Sequence, residues 1–170
     1  ALANYTQMDW EIGSSVLISG GFGGLGRILC EHFAEKGAAH IALVGRKLPG
    51  EDWIATEKKK YLARYGCEIT CWEADVCEKT QIERILSAMR DGGYPPLRVV
   101  IHAAGVLDDG IFTHQSWERF EKVLEPKVKG GWNLHEATKG IETIQHFILF
   151  SSIASTLGSA GQSNYAVANG

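Results

Sequence analysis

The stretch SVLISGGFGGLG at residues 15–26 decides the fold. Its first five residues, Ser15 to Ser19, form a short apolar run, which is typical of a strand covered on both faces of a sheet. Apolar residues then recur at helical spacing from Gly24 to Lys36, and Gly37 stands where a helix C-terminal cap is expected. The sequence therefore predicts a strand, a glycine-rich turn and a helix.

The glycine-rich turn is a candidate binding site for a dinucleotide. A strand followed by glycines and a helix lets the backbone approach a pyrophosphate, and the helix N-terminus offers it free N–H groups. The three glycines of the G-x-G-x-x-G spacing are Gly21, Gly23 and Gly26. A tight structural turn would use the same glycines. The predicted contact residues are Ser19, Gly20, Gly21, Phe22, Gly23, Gly24, Leu25 and Gly26.

The rest of the chain repeats this alternation of strands and helices. Further strands are predicted at 40–44, 68–73, 98–102 and 146–150, and further helices at 51–65, about 80–90 and 116–138, the last interrupted near Pro126. Strands that alternate with helices predict an α/β fold with a Rossmann-like doubly wound parallel sheet. Ligands of such sheets bind at the carboxyl ends of the strands.

The two ends of the chain differ in character from its middle. Residues 1–14 read as a linker or a remnant of an upstream region, and residues 15–170 read as the nucleotide-binding domain. The segment from Ser163 to Gly170 begins a helix without an end signal. We therefore expect a domain that is C-terminally truncated or shortened.

Composition excludes several classes of protein. The chain has 170 residues with Lys+Arg 17 and Asp+Glu 20, a net charge of −3, and no basic stripe, so nucleic-acid binding is not expected. It has no apolar run of about 18 residues and no signal region, which argues against a membrane segment and for a cytoplasmic location. The four cysteines are predicted to be reduced, buried thiols, because no His lies at zinc-ligand spacing near Cys67 and Cys71.

The residues after the second and third predicted strands indicate which dinucleotide binds. The second strand runs into Arg46 and Lys47 with no carboxylate, and a cation there suits the 2′-phosphate of NADPH, although Arg46 could also be a solvated surface residue. After the third strand, Asp75 could accept a hydrogen bond from the adenine amino group, or it could cap a helix. Val76 follows it along the same predicted cleft.

Four motifs in order resemble those of short-chain dehydrogenases/reductases. They are the glycine loop, the run His102, Ala103, Ala104 and Gly105 after the fourth strand, the run 150–152 after the fifth, and the segment 164–169. The chain resembles more closely the ketoreductase domains of modular polyketide synthases and animal-type fatty acid synthases, from about residue 15 to residue 170. The resemblance implies that the run 102–105 also contacts the cofactor.

The resemblance also implies a catalytic set of Tyr165, Ser152, Lys127 and Asn169. Ordinary family members carry Lys four residues after the catalytic Tyr, where this chain has Asn169. Synthase ketoreductases instead take the Lys from a preceding Pro-Lys-x-x-Gly segment, which Lys127 matches and Lys129 does not. Taken singly, such a Tyr could be a packing residue, such a Ser a helix cap and such a Lys a solvated side chain.

The activity implied is NADPH-dependent reduction of a β-ketoacyl thioester on an acyl carrier protein, within a synthase whose other domains are partners. The run Leu107, Asp108 and Asp109 resembles the B-type signature, which implies a D-configured hydroxyl, although it could also be a solvated loop. Where the opposite type has Trp, the chain has Leu157. The alternatives are a free-standing carbonyl reductase of small substrates and a non-catalytic nucleotide-binding domain.

Three positions depart from the family pattern. Ser19 stands where Thr is usual, Phe22 where a small polar residue is common, and Gly45 where Ser commonly precedes the phosphate-binding Arg. The change at Gly45 removes one possible ligand of the 2′-phosphate.

Overall fold

The centre of the molecule is a five-stranded parallel sheet. The computed structural model describes residues 9–170. Its strands are β1 (Ser15–Ser19), β2 (His40–Gly45), β3 (Glu68–Glu73), β4 (Leu97–His102) and β5 (His146–Leu149). The order across the sheet is β3-β2-β1-β4-β5, and every neighbouring pair is parallel. The chain winds outward from β1 to β3 and then crosses to the other side of β1, which confirms the predicted Rossmann-like doubly wound sheet.

The helices lie where the apolar spacing predicts them, to within a residue or two, except for one short helix at Ala154–Leu157 that the spacing does not predict. They are α1 (Gly24–Glu35), α2 (Glu51–Tyr65), α3 (Lys79–Asp91), α4 (Trp117–Leu124), α5 (Gly130–Thr138), α6 (Ala154–Leu157) and α7 (Ser163–Ala168). A 3₁₀ turn covers Phe112–His114 and a π-helical turn covers Glu125–Lys129.

The sheet buries both of its faces. Alternate residues of a strand point to opposite sides, so Val16 and Ile18 join a core with α1 and α2, whereas Leu17 joins a second core with α3 and α5. All five residues of β1 are buried. This double burial explains why β1 reads as a continuous apolar run.

Helix α1 leaves two of its large apolar residues exposed. Leu25 is 42% and Ile28 68% exposed, and the buried side carries Cys30 and Phe33. The reason is Gly26, where an added Cβ would lie 2.3 Å from the Gly20 carbonyl oxygen. Because only a glycine permits that approach, the side of the helix that bears residue 26 faces the sheet. Cys30 and Phe33, four and seven positions later, lie on the same side and are buried with it.

The expected interruption at Pro126 is wrong, since the chain stays helical from α4 through residues 125–129 into α5. Proline cannot donate the usual backbone hydrogen bond. The helix widens by one residue instead of breaking, and the Gly130 N–H donates to the carbonyl of Glu125.

Residues 9–14 contact the domain. The Trp10 ring meets Phe33 edge-on at a centroid distance of 5.5 Å, the Gly13 N–H donates to the Gly37 carbonyl, and Glu11 forms an ion pair with Arg98. Residues 1–8 of the predicted linker lie outside the described residues.

All four cysteines are free thiols. Cys30 and Cys67 are buried, and burial raises the pKa of each thiol to about 12, whereas Cys71 and Cys77 are only half-buried. Between residues 9 and 170, no three side chains of the metal-binding types are grouped to hold an ion. In the same range, no helix combines the length and apolar character needed to cross a membrane.

Candidate active site

A cleft of about 630 Å³ runs along the carboxyl ends of β1 to β4, within the usual size of a ligand pocket. It joins residues from the four loops that sequence reasoning singled out. Of the predicted contact residues, the cleft is lined by Gly20, Phe22, Gly23, Arg46, Asp75, Val76, Ala103, Ala104 and Gly105. The six other predicted contact residues do not line it, namely Ser19, Gly21, Gly24, Leu25, Gly26 and His102.

The glycine loop is close-packed against the end of β4. Gly20 has φ +73°, and an added Cβ would lie 2.7 Å from the backbone of Ala103. Only glycine combines that conformation with that approach. The turn leads into Gly23, the N-cap of α1, and no side chain caps the helix. The first N–H groups of α1 are therefore available to an anion.

Phe22 packs against the end of β2. Its ring is in T-shaped contact with Trp53 at 6.3 Å, and the Arg27 guanidinium lies 4.9 Å from the Trp53 ring centroid. An added Cβ on Gly45 would lie 2.7 Å from the Phe22 ring. The two departures from the family pattern, Phe22 and Gly45, are thus one packing arrangement.

Two cations follow β2 and are exposed. Arg46 and Lys47 line the cleft, and within residues 9–170 neither forms an ion pair. A smaller cleft of about 400 Å³ adjoins it and places Arg84 of α3 with Arg46 and Asp75. Sequence reasoning missed Arg84, because a single Arg on the exposed side of a helix carries no motif.

The turn after β3 is held in place by hydrogen bonds. The Asp75 carboxylate accepts one from the Cys77 N–H at 2.9 Å, and the Asn133 amide of α5 donates to the Val76 carbonyl at 3.0 Å. The N-cap of α3 is Glu78. The helix-cap interpretation of Asp75 is therefore wrong, because the helix starts three residues later than a cap at 75 would require.

Lys127 extends from the π-helical turn to the end of β5. Its ammonium donates a hydrogen bond of 2.7 Å to the Phe150 carbonyl, and its stem crosses Gly105, where an added Cβ would lie 2.9 Å from Lys127 Cε. The side chain is half-buried, and this desolvation lowers the pKa of the amine below its usual value. Lys127 therefore connects the loop after β4 with the loop after β5.

A second cleft, of about 690 Å³, brings Lys127 together with Ser151 and Asn169. The Asn169 side-chain amide donates to the Tyr165 carbonyl at 2.8 Å, and the Ser151 hydroxyl donates to the Asn169 carbonyl. Asn169 Oδ1 is buried and has no partner among the described residues. An unpaired buried acceptor beside an ammonium is suited to hold a water molecule.

Ser152 and Tyr165 carry the two remaining hydroxyl groups of the predicted set. Ser152 Oγ accepts a hydrogen bond from the Ala154 N–H at 3.2 Å, which leaves its own proton free for another partner. Tyr165 is half-buried in α7, and its hydroxyl has no hydrogen-bond partner in the described part of the chain. Both hydroxyls are therefore free to donate, although neither residue lines one of the two clefts.

The loop after β4 is tied to α4 and α7. The Asp108 carboxylate pairs with Lys122 at 2.7 Å and with Arg119 at 2.5 Å, and these cations hold its pKa below the usual range. The buried Asn164 amide donates to the Asp108 carbonyl at 2.8 Å, and Gln162 donates to the Asp109 carboxylate at 3.0 Å. Sequence reasoning missed these partners, since nothing in the spacing relates residues 119 and 164 to residue 108.

The fold and the cleft define a Rossmann-like oxidoreductase of the short-chain dehydrogenase/reductase type. A family model described as "KR domain" matches residues 14–170. A polyketide synthase of Mycobacterium marinum, named for phenolphthiocerol synthesis, is 40% identical over 157 residues, covering 92% of this chain and 7% of the synthase. The chain belongs to the KR domain family, the ketoreductase domains of polyketide synthases.

Solved structures lead to the same family. The first ketoreductase of the tylosin synthase has a TM-score of 0.82 and 37% identity, covering 94% of this chain and 34% of that one. An N-terminal ketoreductase from the macrolactin assembly line has a TM-score of 0.85 and 29% identity, covering 95% of this chain and 33% of that one. The chain therefore spans about a third of these structures. Ketoreductase domains of this superfamily bind a nicotinamide cofactor.

Proposed function

We propose that this chain carries the cofactor-binding and catalytic residues of an NADPH-dependent β-ketoacyl reductase. Its substrate is a β-ketoacyl thioester on an acyl carrier protein, and its product is the β-hydroxyacyl thioester of polyketide biosynthesis. One observation carries the proposal: the Lys127 ammonium reaches the Phe150 carbonyl and shares a cleft with Asn169. A lysine is thus available at the site although the position four residues after Tyr165 is Asn169.

The residues of the first cleft, along the carboxyl ends of β1 to β4, fit the proposed cofactor. The glycine loop would hold the pyrophosphate at the N-terminus of α1, because a side chain at Gly20 or Gly26 would collide with backbone. Arg46, exposed and without an ion-pair partner in residues 9–170, would hold the 2′-phosphate, since a guanidinium matches phosphate geometry. Asp75 would accept from the adenine amino group. When bound, NADPH supplies the hydride.

The other groups handle the oxygen of the substrate carbonyl. Tyr165 donates its phenolic proton to that oxygen, and Ser152 donates a second hydrogen bond as negative charge develops there. The Lys127 ammonium would stabilise the negative charge of the phenolate that remains after this transfer. Asn169 Oδ1 would hold the water that returns a proton.

The stereochemical part of the proposal is a B-type enzyme with a D-configured product. It is supported by the fixed conformation of the loop at 107–109. The two carboxylates of this loop bind Arg119, Lys122 and Gln162. A fixed loop beside the cleft can restrict the side from which the pantetheine arm enters. We also propose that other domains of a synthase are its partners and that it acts in the cytoplasm.

The role of Tyr165 is tested by Tyr165→Phe in the full-length protein. We expect reduction of a β-keto thioester to be lost, because the group that transfers a proton to the carbonyl is removed, whereas NADPH binding stays unchanged. The measurements are NADPH consumption and fluorescence titration, and Tyr94→Phe, at the opposite end of the sheet, is the matched control. Full turnover by Tyr165→Phe would refute this mechanism. Turnover absent from the wild type as well would favour a non-catalytic nucleotide-binding domain.

The cofactor preference is tested by Arg46→Ala. Hydrogen bonds to charged groups contribute about 1.5–3 kcal/mol, so NADPH affinity should fall about 10- to 100-fold while NADH affinity changes little. Lys59→Ala, on the exposed face of α2, is the control for loss of a surface cation. Equal losses for NADPH and NADH would contradict the 2′-phosphate assignment.

A further inference from the structure

His102, the last residue of β4, lies under the active site with both ring nitrogens occupied. It is 2% exposed. Its Nδ1 is 2.6 Å from the Ser19 hydroxyl of β1, and its Nε2 is 2.8 Å from the Pro126 carbonyl of the π-helical turn. The imidazole thus connects two central strands to the helix turn that carries Lys127.

The chemistry of the two partners determines where the ring protons lie. The Pro126 carbonyl can only accept, so His102 Nε2 must carry the proton. Burial lowers the pKa of His102 to about 4, and the nearby Lys127 charge acts in the same direction, so the ring is neutral at pH 7. Nδ1 then accepts from the Ser19 O–H, which holds the ring in the tautomer that can donate to Pro126.

The backbone that His102 holds is the segment from which Lys127 extends. Pro126 directly precedes Lys127 in the chain. The same ring borders the start of α5, because an added Cβ on Gly130 would lie 3.4 Å from His102 Cε1. The head of Lys127 is fixed at the Phe150 carbonyl and its stem crosses Gly105. The part of Lys127 that these contacts leave free to move is its backbone, in the widened helix turn. His102 restrains this turn through its hydrogen bond to the Pro126 carbonyl.

We propose that His102 is a positioning residue for Lys127, which it serves by holding the Pro126 carbonyl, and that Ser19 keeps the imidazole in the required tautomer. This role rests on the proposed function, in which the Lys127 ammonium stabilises the phenolate that Tyr165 becomes after proton transfer. It differs from the cofactor contact that the family resemblance implies for His102, because His102 lines the cleft of Lys127 and Asn169 and not the cleft of the glycine loop.

The sheet contains a matched control at its opposite end. His40 of β2 is 0% exposed, bonds Ser15 Oγ at 3.0 Å and Thr70 Oγ1 at 2.8 Å, and has its pKa lowered to about 4 by burial. It touches no residue of either active-site cleft. Like His102→Asn, His40→Asn therefore removes a buried imidazole with two hydrogen-bond partners from the sheet, but it does not act on Lys127.

The test compares His102→Asn, His102→Gln and His40→Asn in the full-length protein. Gln places its amide where His102 has Nε2 and can still donate to Pro126, whereas Asn reaches only towards Ser19. We expect His102→Asn to lower kcat about 100-fold, the cost that a displacement of about 1 Å can have, with an unchanged KM for NADPH. His102→Gln should recover part of this loss.

A further readout separates positioning from stability. Acetylation of Lys127, followed by mass spectrometry, should become several-fold faster in His102→Asn alone, because the amine loses its fixed position.

The outcomes distinguish this inference from the proposed function. If His102→Asn matches His40→Asn in kcat and in Lys127 acetylation, the positioning role is refuted. If the wild type does not reduce a β-keto thioester, the proposed function fails, and the acetylation rates still decide the positioning role. If His102→Asn does not fold, Ser19→Ala replaces it and should shift the same readouts in the same direction by less.

Discussion

At the scale of single residues, the contact of Phe22 with Gly45 shows that the side chain at position 22 restricts which residue fits at position 45. The Phe22 ring occupies the space that a side chain at position 45 would need, and it also packs on Trp53. A side chain at position 45 cannot coexist with this ring in its present position. In the proposed function, Arg46 and Lys47 supply the side-chain contacts to the cofactor at the end of β2.

This packing predicts a non-additive pair of substitutions. Gly45→Ala should lower the free energy of unfolding by about 1–3 kcal/mol, the usual cost of overpacking, because the new methyl group displaces the Phe22 ring. In a Phe22→Ala background the same substitution should cost almost nothing. Urea unfolding measures both, and Gly50→Ala is the control, since no atom lies within 4 Å of its added Cβ. Equal costs in both backgrounds would contradict the contact.

At the scale of elements, α4 and α7 hold the loop that follows β4. Arg119 of α4 binds the Asp108 carboxylate and the Asp109 carbonyl, and Asn164 of α7 donates to the Asp108 carbonyl. Because Tyr165 follows Asn164, the loop and the proposed proton donor are parts of one hydrogen-bonded unit. The geometry of the loop therefore depends on α4, which follows it in the chain, and on α7, whose Asn164 is 56 residues from Asp108.

Arg119→Ala should loosen this unit and reduce stereochemical control. We expect kcat/KM for the β-keto thioester to fall about tenfold, which corresponds to about 1.4 kcal/mol, and the product to contain both hydroxyl configurations. Chiral chromatography of the product measures the ratio. Arg64→Ala, which removes a surface ion pair with Glu31, is the control. A product as pure as that of the wild type would show that the loop does not need Arg119, and an L-configured wild-type product would overturn the B-type proposal.

At the scale of the whole molecule, two buried histidines make stability depend on pH. Burial lowers the pKa of His40 and His102 from about 6.5 to about 4. Between these values the unfolded chain binds protons that the folded protein excludes, so the free energy of unfolding falls as the pH drops. The largest slope for each histidine is about 1.4 kcal/mol per pH unit.

Urea unfolding at pH 7.5 and pH 5.0 checks this dependence. Replacing His40 with Asn should make the difference in unfolding free energy between the two pH values smaller, because one of the two titrating groups is removed. His114→Asn is the control, since His114 is exposed. If His40→Asn and His114→Asn reduce the difference by the same amount, the burial of His40 does not cause the pH dependence.

The sequence by itself determined the sheet, the glycine loop and the residues proposed for the site. These follow from local causes: β1 is apolar throughout because both of its faces are covered, and the glycines at 20 and 26 are required where backbone approaches backbone. The spacing around Lys127 and Tyr165 likewise belongs to short segments whose order in the chain is informative.

Only the tertiary structure decided the contacts between segments distant in sequence. Pro126 reads as a helix break, yet the helix widens there, and the Pro126 carbonyl is held by a histidine 24 residues away. The partners of Asp108, the Phe22 ring over Gly45 and the buried Ser19–His102 pair arise in the same way. The physical reason is that periodicity reports which face of an element is covered, whereas the partner on that face depends on how the elements pack together.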